Sequence, residues 1–372
     1  MVLNSYEDKL GVITANATTP YILGFVDLNE TGPLVVELPP GPTAGGVGDF
    51  WQRAIIDMGE TGPDKGKGGK YLVLPPGAAI PADSGDYYLA KSETMNVLVG
   101  FRVLDPDPGK GKALVEKFRM YPYSNRAQPT RTNLLTPGGK AWSGTQPKRM
   151  AYWERLHQII QKEPVNERDR FYMAMLASLE IEKDKPFNPA EAQRKALEQG
   201  AQMGELVAKA NTFAKRFPGV QYWPDRQWDT VLNIAEPSQR VAFYDQLWER
   251  SAWFYDAVTN TKGMVSRTPG LGPTYLGSYT DEKGDWLDGK FMFEVTPLDT
   301  VRSISGARGV MEDCGQDNAG LFLDIWHLSR GSMDHSEIRT LPASMTHSIG
   351  LAGADRYPLT DLIENTCHTA AS

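Results

Sequence analysis

The chain has 372 residues, a length that suits two ordinary domains better than one. Hydrophobic residues make up 41% and charged residues 23%, close to the globular average, which excludes a wholly disordered chain. The net charge of −7 gives no positive field to attract nucleic acid, and no run of 18 apolar residues predicts a membrane span.

Residues 1–125 are predicted to form a β domain. Within this domain, the apolar segment 49–58 is predicted to be a strand or a short helix. Strands at this spacing, separated by Pro and Gly turns, favour an antiparallel sandwich or jelly roll over βαβ units. The β-rich runs are 21–28, 34–38, 71–74, 86–90 and 96–103.

Residues 126–149 are predicted to be a linker loop and residues 150–262 a helical segment, on the basis of Pro/Gly content and helical spacing. The clearest predicted helix spans 189–217, with Asn188 as its N-cap and an apolar stripe that includes Leu206 and Val207. A further helix is predicted at about 238–258.

Residues 263–298 return to β character and are predicted to start a second β domain with hairpins. Residues 299–372 form an atypical tail with none of the 19 lysines and four of the five histidines. We hypothesise that this tail is frame-shifted or disordered. The predicted fold class is α+β: two jelly-roll-like β-sandwich domains with a helical segment between them, the second sandwich incomplete.

The glycine-lysine loop at 62–70 superficially suggests a phosphate loop. The Gly-x-x-x-x-Gly-Lys-Ser/Thr spacing is absent, and the loop precedes a strand instead of a helix. Two interpretations remain: a plain surface turn, which we favour, or an anion site formed by backbone amides with Lys65, Lys67 and Lys70.

The segment around Trp51 and Arg53 offers another candidate site. On a strand, Trp51, Arg53 and Ile55 would share one face and could line a pocket. The simpler alternative is a core tryptophan beside an arginine that pairs with a structural aspartate.

No catalytic or metal motif is recognisable. His157 is the one histidine before residue 299, and the spacing of Cys314, Cys367 and the tail histidines matches no compact zinc module. We therefore predict no metal site and no cofactor.

Several motifs resemble a known bacterial family, the domain of unknown function 1254, over about residues 12–125. The segments that carry the resemblance are 14–21, 27–28, 32–37, 49–51, 57–59, 62–71 and 121–123. Segments between 253 and 289 resemble the start of domain of unknown function 1214, over about residues 250–297. The resemblance implies the two-sandwich fold, and its members are often exported. This chain is N-terminally short for the family and departs from it after about residue 298.

The sequence is compatible with more than one cellular compartment. Residues 1–8 lack the basic and apolar regions of a signal peptide, so we expect none in this chain. Two cysteines do not make a disulfide framework, and they suit a reducing compartment or an exported protein without bridges.

The favoured function is binding of a small-molecule or carbohydrate-like ligand at the domain interface, and a homo-oligomer is compatible with it. The alternatives are a hydrolase or isomerase that uses carboxylate, tyrosine and arginine residues, and a secreted or surface interaction scaffold. The catalytic candidates are Asp27, Asp57 and Arg53. The ligand-binding candidates are Asn16, Thr19, Tyr21, Trp51, Arg53, Lys70 and Tyr275.

Overall fold

The computed structural model describes residues 1–12, 19–138, 140–257, 262–265, 275–281, 283–286, 291–294, 319–324, 336 and 346–350. The chain divides into two compact units. The first contains Met1–Pro224, Trp228–Arg267 and Leu271–Gly277, and the second contains Asp225–Gln227, Thr268–Gly270 and Ser278–Ser372. The domain boundaries expected from the sequence remain predictions.

Two β-sheets dominate the first unit. Their strands are β1 (Val2–Leu3), β2 (Tyr21–Asp27), β3 (Leu34–Leu38), β4 (Thr43–Asp49), β5 (Ala54–Gly59), β6 (Gly69–Leu74), β7 (Tyr87–Lys91), β8 (Asn96–Val103) and β9 (Arg119–Pro122). Sheet A has five antiparallel strands in the order β1-β2-β8-β4-β5. Sheet B has the order β7-β6-β3-β9, in which β6 and β7 are parallel and the other pairs are antiparallel.

The two sheets share one hydrophobic core. On β8, Val97, Val99 and Phe101 are buried while the residues between them are half-buried, which is the two-residue period of a strand with one core face. Val36 and Tyr71 of sheet B belong to the same cluster. The α+β class is confirmed, and the jelly-roll connectivity stays a prediction.

The helices of the first unit are α1 (Tyr6–Lys9), α2 (Leu28–Thr31), α3 (Pro108–Lys117), α4 (Met150–Lys162), α5 (Arg170–Ala177), α6 (Glu191–Phe213), α7 (Leu247–Ser251) and α8 (Lys262–Val265). Helix α6 begins two residues later than predicted because Ala190, in extended conformation, takes the N-cap position. The predicted helix at 238–258 forms only at α7. The backbone folds back before it, since the Gln246 amide donates to the Gln239 carbonyl at 2.8 Å.

Helix α4 is fixed to sheet A through a buried carboxylate at its C-terminal end. Glu163 is 2% exposed and accepts hydrogen bonds from the backbone amides of Met95 (2.6 Å) and Asn96 (3.0 Å). Lys183 Nζ donates to three carbonyls at the same helix end, at 2.9–3.0 Å, and so satisfies acceptors that the helix leaves unpaired.

The first unit also contains two short antiparallel strands, β10 (Asp229–Thr230) and β11 (Leu276–Gly277), which pair with each other. In the second unit, β12 (Phe291–Glu294), β13 (Ala319–Asp324) and β14 (Thr346–Gly350) form a parallel sheet. The sequence suggested hairpins here and showed no strand signal after Leu298. Parallel strands are often short apolar runs without alternation, which makes them hard to recognise.

Most of the tail, including Cys314 and Cys367, lies outside the described residues. Within the described ranges, no helix has the length and hydropathy needed to cross a bilayer.

Candidate functional site

The candidate site lies on the face of sheet A that points away from the core. Strand register decides which residues share this face. Tyr21 pairs with Arg102 across β2 and β8, and Arg102 pairs with Ala44 of β4. Because Val97, Val99 and Phe101 point into the core, the alternation of β8 places Arg102 on the opposite face together with Tyr21.

Arg102, Tyr21 and Tyr275 come together at this face. The guanidinium of the half-buried Arg102 interacts with the hydroxyl of Tyr275, which directly precedes β11. Burial raises the pKa of Tyr275, an effect that the positive charge of Arg102 opposes. Among the described residues, no carboxylate forms an ion pair with Arg102. Within the described part of the chain, the fork of this guanidinium is thus not paired with an acidic side chain.

A second cation lies beside Tyr21. Lys9, the last residue of α1, is only 1% exposed, and its Nζ is 5.6 Å from the centroid of the Tyr21 ring. Burial lowers the pKa of Lys9, while the neighbouring Asp8 acts in the opposite direction. This end of the sheet is therefore cationic and bears two phenols.

Gly100 leaves space beside Arg102 on the outer face of sheet A. A Cβ on Gly100 would stand 3.4 Å from Leu23 Cδ2, in space that the glycine leaves free next to Arg102. An apolar cluster that includes Tyr275 borders one side of the site. The other members of this cluster are Val231, Leu232, Trp253, Ala257, Met264 and Val265.

Asp57 shares the outer face of sheet A with Arg102. It pairs with Gly46, which in turn pairs with Gly100, and it is 9% exposed. From the spacing of strands, its Cα lies about 12 Å from that of Arg102. A buried carboxylate at this distance is a candidate proton acceptor for a ligand that spans both residues.

The other predicted residues are placed as follows. Thr19 lies two positions before Tyr21, and Asn16 lies outside the described residues. Lys70 is exposed on β6 of sheet B, where it lies opposite Glu37 in the strand register. Asp27 caps α2 through the Asn29 amide at 3.0 Å and lies about 20 Å along β2 from Tyr21.

Trp51 and Arg53 do not lie on one strand. The segment predicted as a single element breaks into a turn after β4, where Gln52 has φ of 62°. Arg53 Nε donates to Asp49 Oδ2 at 2.5 Å, and both side chains are buried. Burial raises the pKa of Asp49, while Arg53 acts against that rise. This geometry matches the alternative in which the arginine pairs with a structural aspartate.

The glycine-lysine loop is organised around one buried carboxylate. Asp64 is 3% exposed and accepts hydrogen bonds from the Tyr71 hydroxyl at 2.5 Å and from the amides of Gly59 (2.8 Å) and Gly68 (3.2 Å). A side chain at Gly68, where φ is 75°, would meet Pro40 N at 2.6 Å. Asp64 thus occupies one amide of the loop, that of Gly68, and links the loop to β5 through Gly59, which favours the surface-turn interpretation.

Tyrosines elsewhere in the sheets are already bound within the fold. The Tyr121 hydroxyl donates to Glu37 at 3.1 Å, and the Tyr123 hydroxyl donates to Asp83 at 2.6 Å. Burial, with a smaller contribution from Glu37, raises the pKa of Tyr121 to about 12. Tyr21 and Tyr275 differ because neither hydroxyl is shown bonded to a carboxylate among the described residues.

Sequence reasoning missed Arg102 and Lys9. The available signal for Arg102 was its position in an alternating strand, where a charged residue follows three buried hydrophobic residues at two-residue spacing. Lys9 carried no comparable signal, because its burial depends on contacts distant in sequence.

Comparisons with known proteins address part of the chain. Residues 3–122 match the sequence model of a family described as "Protein of unknown function (DUF1254)". Comparison with curated proteins gives no significant match. Among solved structures, the VPA0106 protein from Vibrio parahaemolyticus aligns with a TM-score of 0.46 and 12% identity, over 65% of this chain. The aligned region spans 57% of the length of that structure. The N-terminal third of the chain is thus similar to the DUF1254 family, and the resemblance to domain 1214 stays a prediction.

Proposed function

We propose that the protein binds a small carboxylate-bearing ligand, such as a sugar acid, on the outer face of sheet A. The observation that carries this proposal is the half-buried Arg102, which has no carboxylate partner among the described residues and lies between Tyr21 and Tyr275. The proposal keeps the predicted small-molecule or carbohydrate-like class and locates the ligand within the first unit.

Each residue has a defined part in this proposal. Arg102 receives the carboxylate, because the guanidinium fork matches two carboxylate oxygens. Tyr21 and Tyr275 offer an aromatic surface to the sugar ring and hydroxyls to its polar edge. Lys9 adds positive charge, and Gly100 lets the ligand approach the sheet backbone.

A thermal-shift comparison of a sugar acid with its neutral counterpart tests the ligand class. Glucuronate should raise the unfolding midpoint of the protein, and glucose at the same concentration should raise it much less. Tyr275→Phe keeps the ring and should weaken the effect of glucuronate, because it loses the hydroxyl beside Arg102. Equal effects of glucuronate and glucose would contradict the proposed role of Arg102.

The buried Asp57 favours a second candidate, an isomerase or hydrolase acting on the same ligand. Its carboxylate would act as general base, with Arg102 as the electrostatic partner. Turnover of a sugar acid or its ester that disappears in Asp57→Asn, with ligand affinity retained, would support this candidate. Failure to bind any ligand would instead favour the interaction scaffold.

The finer fold and context are also proposals. The core shared by sheets A and B supports a jelly-roll-like sandwich. A second domain of the 1214 type and a bacterial, exported context rest on the sequence resemblance alone.

A further inference from the structure

Helix α5 is apolar, yet it lies largely in contact with solvent. Seven of its eight residues are apolar or aromatic, and none of the eight is buried. Phe171 is 70% exposed and Met175 is 53% exposed, and the rings of Phe171 and Tyr172 meet edge to face with their centroids 5.8 Å apart. A helix that is apolar on most sides is normally buried, so the exposed face of α5 is a candidate for contact with another protein surface.

A tight turn at 240–245 carries the most exposed of the large apolar side chains that the structure describes. An antiparallel bridge between Arg240 and Asp245 closes the turn, and the Val241 amide donates to the Tyr244 carbonyl at 3.0 Å. Phe243, near the tip, is 97% exposed and therefore makes almost no contact within its own chain. Only a partner surface would remove this ring from water.

Arg168 joins this turn to the exposed face of α5. Its Nε donates to Asp245 at 2.9 Å, and its two terminal nitrogens donate to a backbone carbonyl just before the turn at 3.2 and 3.3 Å. Phe171, Tyr172 and Met175 follow Arg168 at spacings of three, four and seven residues. Because 167–177 is one continuous helical segment, these spacings place all four side chains on the same side of it. The turn therefore borders the exposed face of α5 without covering it.

The exposed apolar area is large enough for a specific interface. We call its members the α5–turn patch, and they are Phe171, Tyr172, Met175, Phe243 and Tyr244. Since one aromatic side chain covers about 150–250 Å², the exposed fractions of these five amount to roughly 600 Å². Monomeric proteins rarely expose a contiguous apolar patch larger than a few hundred Å². Two such patches in contact would bury about 1,200 Å², which is the lower end of the range for stable protein–protein interfaces.

The charges beside the patch favour a second copy of this chain as the partner. Arg240 Nε lies 3.3 Å from Asp245 Oδ1, and Arg170 Nε lies 3.7 Å from Glu167 Oε1, so each arginine is balanced by a carboxylate at the same edge. The five members of the patch carry no charge. A strongly charged partner would therefore find no complementary field here, whereas two copies with a net charge of −7 each can meet at this surface without like-charge repulsion.

We propose that the protein forms a two-fold symmetric dimer through the α5–turn patch, in which Phe243 of each copy packs against the α5 face of the other. Sedimentation velocity of the full chain over a range of concentrations should show a species of twice the chain mass. Phe171→Glu and Phe243→Glu should each raise the Kd of the dimer by about tenfold or more, because each places a charge in an apolar contact. The matched control is Phe25→Glu, since Phe25 on β2 is as exposed as Phe171, and it should leave the Kd unchanged.

Photo-crosslinking adds a measurement that keeps the patch apolar. Benzoylphenylalanine at position 243, in a mixture of isotope-labelled and unlabelled chains, should form crosslinks between two chains, and these should map to 170–177. A wild type that stays monomeric at every concentration would overturn the proposal, as would a dimer that Phe25→Glu weakens and Phe171→Glu does not. Crosslinks confined to one chain would also overturn it, and a crosslink to residues 278–372 would identify the chain's own second unit as the partner of the patch.

Discussion

Replacement of Arg250 by methionine should stabilise the protein, although it removes two contacts, one with Trp253 and one with Gln52. Lowering the pKa of the Arg250 guanidinium from its ordinary value to about 10 corresponds to a cost of about 3 kcal/mol at neutral pH. Against this, the variant loses the contact with Trp253 and the hydrogen bond to Gln52, each worth about 1 kcal/mol. The expected net gain is about 1 kcal/mol, or about 2–4 °C in the unfolding midpoint.

The sign of this effect depends on pH. Because the pKa of Arg250 is lower in the folded protein than in the unfolded chain, the protonated group destabilises the fold at every pH below about 10. The penalty shrinks as pH rises above about 10 towards the ordinary pKa of arginine, and the advantage of the methionine variant should shrink with it.

Urea denaturation followed by tryptophan fluorescence measures this prediction. Arg131→Met, at an exposed position, is the control and should change stability by less than about 0.5 kcal/mol. A loss of 2 kcal/mol or more in Arg250→Met would refute the reasoning, because it would show that Arg250 is compensated within the fold.

Three further predictions concern buried or paired carboxylates. Asp64→Asn should cost about 2–3 kcal/mol in urea denaturation, since an amide cannot accept at both oxygens; unchanged stability would contradict the role given to this loop. Glu163→Gln should cost about 2 kcal/mol by the same assay, because it weakens the attachment of α4 to the β8 amides, while the exposed Glu154→Gln should have little effect. For Asp27, burial favours a higher pKa, but hydrogen bonds from Asn29 and Lys162 lower it overall. Its contribution to stability is therefore complete above the unfolded pKa and lost as pH falls through the lower folded value, so Asp27→Asn should flatten the acid limb of a stability-pH profile; an unchanged limb would count against it.

Strands with ordinary β composition could be predicted from the sequence. The runs at 21–28, 34–38 and 96–103 fall on β2, β3 and β8, because β-branched and aromatic residues there alternate or cluster between Pro and Gly turns. Strand β4, Thr43–Asp49, was not predicted, because three of its seven residues are glycine and it lacks the usual pattern. Strand β4 forms because it pairs with β5 and β8 in sheet A, and these hydrogen bonds offset its low intrinsic strand propensity.

Candidate residues could be predicted by type more readily than by location. Tyr21 and Tyr275 were both selected: strand register places Tyr21 beside Arg102, and Tyr275 interacts with the same arginine. Trp51 and Arg53 were selected too, yet the turn at Gln52 separates them from the strand face that carries Arg102. Arg102 and Arg250 were missed because their burial, and the lack of a carboxylate partner among the residues that the structure describes, are apparent only in the folded protein.

Calorimetric titration of glucuronate into the wild type, Arg102→Gln and Arg131→Gln tests the proposed carboxylate site most directly. The wild type and the exposed-arginine control should bind with the same affinity, and Arg102→Gln should bind at least about tenfold more weakly, with its fold confirmed by circular dichroism. Equal affinity in all three proteins, or no binding to a folded wild type, would contradict the proposed site.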